Sequence, residues 1–371
     1  MKVKVAAVQA ESVYGEEEWR NVDRAIRYMD EIKAIGGVQL VCFPEGYPGP
    51  AHGPLDSKGK FSAHPIDLLR EKIREVGVYC ACSDVVAHEE LPNVYYLCHK
   101  LIGPDGEVLA DHRRSQPDEP ELNEYLFGGK RLFAPGPGPT VVETEIGVIG
   151  LLICSELWVP ELPRIAMLMG AEILISPVNG HHTPSLHHDG SFDTPLWETW
   201  RCISRCRAAE NNQFVIVTQN MFNSDYAGVG HIAGPESMLA AFKGTGIFTA
   251  ELDMDRLHYL RDTLYAFTDL DSGALRSKQP VLGTRPGQQR IRRPEIYGKL
   301  VEPLPTDFDY DYYLKELALG RRLKTVAGRQ AAKRPRKNSF TFSVRPRWCS
   351  SSSGGARGAG WAASSCLRRW A

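Results

Sequence analysis

Cys154 and Glu45 are the two residues whose type and setting suit acyl-transfer chemistry. Cys154 ends the apolar run Gly-Leu-Leu-Ile-Cys, and a segment rich in Pro and Glu follows it. A thiol between a strand and a helix N-terminus is a candidate nucleophile, because the partial positive charge of the helix favours the thiolate. A buried structural cysteine fits the same pattern.

Glu45 lies in Leu-Val-Cys-Phe-Pro-Glu-Gly-Tyr-Pro-Gly, where an apolar strand breaks into a turn. A carboxylate is costly to bury unless its pKa rises, and a raised pKa suits a general base near neutral pH. A turn or cap acid is the alternative interpretation. Strand ends that carry Glu and Cys fit the rule that α/β sheets form their sites at the carboxyl ends of strands.

The elements that would position these residues alternate along the chain, which predicts an α/β layer architecture. Residues 94–114 predict a hairpin that turns at Pro104-Asp105-Gly106. Other predicted strands cover 3–10, 38–43, 76–87, 147–153, 171–178 and 214–220, and the predicted helices cover 17–35, 66–76 and 195–211.

The two ends of the chain differ in charge. Residues 321–371 hold 13 Lys and Arg and no acid, which leaves residues 1–320 with 31 basic and 45 acidic side chains, a net charge of −14. An acidic body argues against nucleic acid as its main partner. The Ser, Gly and Arg-rich segment 321–371 has no hydrophobic period, so we predict one folded domain over 1–320 and a disordered basic tail over 321–371.

Nine cysteines, an odd number placed mostly in apolar runs, are typical of a reducing compartment, and we expect a cytoplasmic protein. Cys80 and Cys82, like Cys202 and Cys206, lack a second pair at zinc spacing, so the sequence predicts no metal site there. The chain contains no apolar stretch of about 18 residues, and residues 1–9 lack the features of a secretory signal.

The order of motifs resembles that of the nitrilase superfamily of carbon-nitrogen hydrolases, whose members use a Glu-Lys-Cys set. The resemblance implies a four-layer α-β-β-α sandwich, no metal or organic cofactor, and association through outer helices into a homodimer or larger homo-oligomer. The matching motifs lie at 3–9, 43–47, 93–114, 147–164, 170–179, 207–220, 231–237, 247–257 and 292–297.

Carried over by position, the resemblance implies that Glu45 is the general base and Cys154 the nucleophile. Glu124 matches a second glutamate that orients the catalytic amine and the substrate. The backbone N–H of Ser155 would donate to the oxyanion. Family members usually have Tyr-Arg-Lys where this chain has His-Arg-Arg, so Arg114 stands in the place of the catalytic lysine.

Arginine keeps the positive charge of lysine, but its pKa above about 12 prevents it from exchanging protons. Two interpretations follow. In the first, Arg114 stabilises the thiolate and the oxyanion while Glu45 moves every proton. In the second, the chain is a relative with altered or lost activity.

Substrate choice is marked less clearly. Family nitrilases tend to have Cys-Trp-Glu after the nucleophile, whereas Cys154-Ser155-Glu156 and the run ending at Asn179 resemble the amidase and carbamoyl-hydrolase branches. We expect Tyr47, Ser155, Trp158 and Asn179 to contact substrate, although ordinary core packing is an alternative for Tyr47 and Trp158.

The expected partners are water and a small amide, carbamoyl or nitrile substrate. The four histidines between His181 and His188 would bind a metal or an acidic substrate, or belong to a solvated loop. A nitrilase in the narrow sense and a non-catalytic interaction protein on the same fold are the competing hypotheses.

Overall fold

The alternating apolar runs form two sheets in a computed structural model of the chain. The residues that it describes are 1–314 without 14, 50–62, 92–93, 118–131, 180–195, 223–227, 263–291, 305–306, 308 and 312. All of them belong to one compact unit, Met1–Leu323. The predicted tail lies outside the described residues, so the boundary at residue 320 stays a prediction.

The first sheet has the order β13-β1-β2-β3-β4-β5, with β6 paired to one end of β4. Strands β1, β2 and β3 run parallel. The β13–β1, β3–β4 and β4–β5 pairs are antiparallel, and β6 runs parallel to β4. Its strands are β1 (Lys2–Glu11), β2 (Leu40–Cys42), β3 (Tyr79–Ala87), β4 (Val94–Ile102), β5 (Val108–Arg113), β6 (Leu132–Phe133) and β13 (Gly246–Asp253).

The second sheet has the order β7-β8-β9-β10-β11-β12, with β8, β9 and β10 parallel. The ends of β1 and β10 pair at Ala10 and Asn220, which joins the two sheets at one edge. Its strands are β7 (Thr140–Thr144), β8 (Gly147–Leu151), β9 (Ile173–Val178), β10 (Phe214–Met221), β11 (His231–Ala233) and β12 (Met238–Ala241).

Helices cover the outer faces of both sheets. The α-helices are α1 (Arg20–Ile35), α2 (Pro65–Val76), α3 (Glu161–Leu168), α4 (Leu196–Asn211) and α5 (Met254–Asp262). Short 3₁₀ helices cover Gly15–Glu17, Cys154–Trp158, Pro294–Ile296 and Gly298–Val301. Strand and helix positions follow the sequence predictions closely, because the periodic spacing of apolar residues is repeated several times within each long element.

Three hydrophobic clusters define the layers. One lies between the sheets, one between the first sheet and helices α1 and α2, and one between the second sheet and helices α3 and α4. In β1, Val3, Val5 and Ala7 face the middle cluster, whereas Ala6 and Val8 face the helices. Burial on both faces explains its continuous apolar run, and the arrangement confirms the predicted α-β-β-α sandwich.

The segment after β8 differs from the expectation of a helix directly behind the thiol. Cys154 begins a five-residue 3₁₀ turn, and the α-helix begins only at Glu161. Pro160, immediately before it, cannot donate a backbone hydrogen bond and restricts the residue before it, so a continuous helix from Cys154 is disfavoured. The helix N-terminus at the thiol therefore belongs to a short 3₁₀ helix and not to the α-helix that follows.

Candidate active site

Cys154 lies at a sharp turn behind β8. Its φ of +53° falls in the left-handed region, which costs a non-glycine residue about 1–2 kcal/mol. The turn is held on both sides of the thiol: Leu152 N donates to Ile175 O at 2.9 Å, and Ile153 N donates to a Glu156 oxygen at 2.7 Å. Cys154 is partly exposed while Leu152 and Ile153 are fully buried, and it packs against two hydrophobic clusters at the edge of the core.

Glu45 lies two residues beyond Phe43, in the turn that follows β2. Phe43 N still donates to Ala81 O at 2.8 Å, and Gly46 then takes a φ of +67°, which reverses the chain. The Glu45 side chain is only 2% exposed. The backbone of this residue is also anchored, because Asn220 Nδ2 donates to Glu45 O at 2.6 Å.

Arg114 connects Glu45 with the nucleophile turn. Its Nη1 donates to Glu45 Oε1 at 3.3 Å, and its Nη2 donates to Ser155 Oγ at 2.7 Å. The Arg114 side chain is 3% exposed, so both contacts form away from water, where they are stronger. One guanidinium thus spans from the proposed base to the residue that follows Cys154.

The backbone of Arg114 is fixed as tightly as its side chain. Arg114 N donates to Leu97 O at 2.9 Å, and Gly136 N donates to Arg114 O at 2.8 Å. A β-carbon at residue 136 would lie 2.1 Å from Arg113 O, so only glycine permits this approach.

Glu156 was missed as a site residue by the sequence analysis. It is fully buried, and its two oxygens together bind donors from the two segments that meet at the site. Oε1 accepts from Ser115 N at 2.6 Å, Gln116 N at 3.2 Å and Ser115 Oγ, and Oε2 accepts from Ile153 N at 2.7 Å and His112 Nε2 at 2.9 Å.

These contacts decide the charge of Glu156. Burial alone would raise its pKa, but hydrogen bonds from His112 and Ser115 and the charge of Arg114 outweigh burial and lower the pKa to about 2. His112 is also fully buried, and its Nδ1 lies 3.2 Å from Thr140 Oγ1. A Glu three residues after Ile153, where it can bond back to the Ile153 N–H, is a sequence signal for this turn contact alone.

The other predicted substrate contacts lie in different settings. Asn179 follows β9, is 6% exposed, and its Oδ1 accepts from Asn220 Nδ2 at 3.2 Å, which links it to the Glu45 backbone. Trp158 is 37% exposed and makes an edge-on contact with Trp200. Tyr47 is fully buried and stacks on Phe43 in the cluster beneath α1, where its ring makes core contacts.

Glu124 and the histidines of 181–188 lie outside the described residues. Within the described ranges, no group of three or more His, Cys, Asp or Glu side chains is placed to hold a metal ion. None of the helices in the same ranges is long and apolar enough to cross a membrane.

Comparison with known proteins identifies the class. A family model described as carbon-nitrogen hydrolase matches residues 4–262. The chain therefore belongs to the carbon-nitrogen hydrolase family, as the resemblance to the nitrilase superfamily implied, and it is an enzyme of that class.

Individual relatives share about a quarter of their residues with the chain. An omega-amidase of Xenopus laevis is 24% identical over 254 residues, which are 66% of this chain and 87% of the relative. An N-carbamoylputrescine amidase of Solanum lycopersicum is 30% identical over 215 residues, which are 53% and 67% of the two chains.

A solved structure supports the fold. It is a glutamate-to-glutamine mutant of the amidase from Nesterenkonia sp. AN1, with the acetamide moiety of fluoroacetamide added covalently at the active-site cysteine. The match has a TM-score of 0.54 at 20% identity and covers 69% of this chain and 92% of that one.

Proposed function

We propose that the chain hydrolyses the carbon-nitrogen bond of a small amide or N-carbamoyl compound through an acyl-thioester on Cys154, with Glu45 as the general base. The observation that carries this proposal is the bridge from Glu45 through Arg114 to Ser155. It unites the two strand ends that hold the base and the nucleophile around one permanent positive charge.

In the proposed reaction, Glu45 takes the proton of the Cys154 thiol as the sulfur attacks the carbonyl carbon. Arg114 stabilises the negative charge that develops nearby, and the Ser155 N–H is the proposed donor to the oxyanion. Glu45 then passes the proton to the departing nitrogen, and ammonia or an amine leaves.

A water molecule completes the cycle. Glu45 takes a proton from this water as its oxygen attacks the thioester carbon, the carbon-sulfur bond breaks, and the proton returns to the thiolate. The products are a carboxylic or carbamic acid and free enzyme. Arg114 carries charge throughout but exchanges no proton, so Glu45 is the one shuttle in this scheme.

The named relatives support an amide or carbamoyl substrate over a nitrile, since both are amidases. The acetamide adduct of the Nesterenkonia enzyme shows that the active-site cysteine of that protein is nucleophilic. We propose a nucleophilic role for Cys154 here, with Glu124 as a further substrate-orienting carboxylate and Asn179 and Trp158 near the pocket.

The test is ammonia release from a panel of short amides, N-carbamoyl amino acids and nitriles by wild type, Cys154→Ala and Arg114→Lys. Turnover of amides or carbamoyl compounds that is lost in Cys154→Ala is the expected result. Turnover of nitriles alone would indicate a nitrilase. A silent wild type with activity gained in Arg114→Lys would show that arginine has disabled the site.

We further propose a cytoplasmic homodimer or larger homo-oligomer. The outer surface near α3 exposes Trp158, Ile165 and Met169, an apolar group suited to a second copy. The free thiols support a reducing compartment, since Cys42, Cys80 and Cys82 are buried and unpaired. Sedimentation of a chain truncated after residue 320 as a strict monomer would contradict the oligomer.

A further inference from the structure

Glu156 ties together two backbone segments that lie about 40 residues apart in sequence. Four of its donors belong to residues 112–116, which flank Arg114, and one belongs to Ile153, next to Cys154. A turn cap needs only the Ile153 contact. The further contacts fix the strand end that carries Arg114 against the turn that carries the thiol.

The two tethers between these segments run in parallel. Arg114 reaches Ser155 through its side chain, and Glu156 reaches back to Ser115 and Gln116 through its own. The first tether begins at Arg114, next to Ser115, and the second begins at Glu156, next to Ser155. The arginine side chain is long and has several rotamers. The contacts of Glu156 with the Ser115 and Gln116 backbone fix where this side chain begins, and so limit where its guanidinium can lie.

We propose that Glu156 is the positioning residue of this site: it holds the Arg114 guanidinium beside the Cys154 thiol, and His112 orients Glu156. The assignment rests on the proposed function of Cys154 and Arg114. His112 suits the role because Nε2 donates to the carboxylate while Nδ1 faces Thr140 Oγ1, so both ring nitrogens have defined partners.

The sign of one measurement separates positioning from a simple charge effect. Glu156 is negative, so neutralising it without any movement would favour the thiolate and shift Cys154 alkylation to lower pH. Loss of positioning withdraws the Arg114 cation and shifts alkylation to higher pH. The two explanations therefore predict opposite directions.

The experiment measures iodoacetamide alkylation of Cys154 against pH, by mass spectrometry of its peptide, in wild type and Glu156→Gln. The expected result is a profile displaced upward by about one pH unit and a rate at pH 7 lowered about tenfold. An unchanged or downward profile would overturn the proposal.

Glu172→Gln is the matched control. Glu172 also accepts from a backbone N–H and a histidine, Val148 N at 2.9 Å and His258 Nε2 at 2.6 Å, but it precedes β9 at the end of the sheet away from Cys154. Its alkylation profile should match that of wild type. An equal displacement in both variants would indicate general destabilisation and would also overturn the proposal.

Two further variants keep the test decisive if Glu156→Gln does not fold. Ser115→Ala removes one hydroxyl donor and should displace the profile upward by a smaller amount. In an Arg114→Gln background, Ser115→Ala should leave the pH profile of alkylation unchanged, because the cation to be positioned is gone. These readouts need no substrate, so a wild type that hydrolyses none of the panel would contradict the proposed function and leave this comparison intact.

Discussion

Arg114 Nη1 lies 3.3 Å from Glu45 Oε1, and both side chains are almost completely buried. The same guanidinium reaches Ser155 Oγ with its other terminal nitrogen. A planar group with donors in a fixed fork contacts both partners at once, whereas the ammonium of a lysine is a compact point charge. Arginine here supplies charge and a link between two loops, without the capacity to move protons.

Replacing Arg114 should therefore have a graded effect. Arg114→Met removes a buried cation in contact with Glu45, so kcat/KM should fall about 100- to 1,000-fold and the free energy of unfolding by about 3 kcal/mol. Arg114→Lys keeps the charge and should lose about tenfold. Steady-state kinetics and urea denaturation measure both effects.

Arg113→Lys is the control for this series. Arg113 pairs with Glu89 and lies over the Tyr96 ring at the surface, one position from Arg114. Its replacement should leave turnover near the wild-type level. Equal losses at residues 113 and 114 would contradict a special role for Arg114.

Cys154 should be the thiol that reacts fastest at neutral pH. Cys206 is largely exposed, but partial burial of its thiol and the neighbouring Cys202 raise its pKa. It therefore carries less thiolate at pH 7 than an ordinary cysteine. Peptide mapping after brief treatment with iodoacetamide should find Cys154 modified first, and a trapped substrate acyl group on Cys154 alone. An acyl group on Cys202 or Cys206 would refute the assignment of the nucleophile.

Gly136→Ala should separate the segment after β6 from the end of β5. The added β-carbon would meet the Arg113 carbonyl oxygen at 2.1 Å, so the backbone must move, at a cost of about 3 kcal/mol. Both the melting temperature and turnover should fall. Gly298→Ala, where a β-carbon meets no atom within 4 Å, should change neither; similar losses at both positions would show that the clash is not the cause.

Glu156 should give stability a defined dependence on pH. Its pKa falls from 4.5 in the unfolded reference to about 2, so its contribution of about 3 kcal/mol is present above pH 4.5 and is lost as pH falls towards 2. The difference in unfolding free energy between wild type and Glu156→Gln should shrink over that interval. A difference that stays constant from pH 7 to pH 3 would mean that the carboxylate is not ionised through its contacts.

The sequence pattern was sufficient for the strands and helices because the signal in each long element is redundant, whereas their four-layer arrangement was implied by the family resemblance. The run from Lys2 to Glu11 is buried on both faces, and the α1 helix repeats apolar residues at Ala25, Met29 and Ile32, so each period is repeated several times. The turn behind Cys154 carries no such redundancy. Pro160 and the left-handed residue Cys154 shape it, and the period of neighbouring elements gives no information about them.

The site was predictable only as far as chemistry is local. Cys154 and Glu45 are recognisable from their own segments, whereas Arg114 is recognised only through the family resemblance, and the structure brings Glu45 and Arg114 into contact. Glu156 and His112 are not recognisable in that way, since their role depends on a pairing between β5 and the turn after β8. Non-local contacts of this kind follow from strand order, which a single sequence specifies weakly.

The left-handed backbone of Cys154 has a consequence for comparing inactive variants. Alanine is ordinarily the more stabilising of the two smallest residues, because glycine gives the unfolded chain more freedom. At a φ of +53° the order reverses, since only glycine adopts this conformation without steric cost. Cys154→Gly should therefore have a higher melting temperature than Cys154→Ala. The size of this inversion would measure the backbone strain that the chain carries in order to keep a reactive side chain at residue 154.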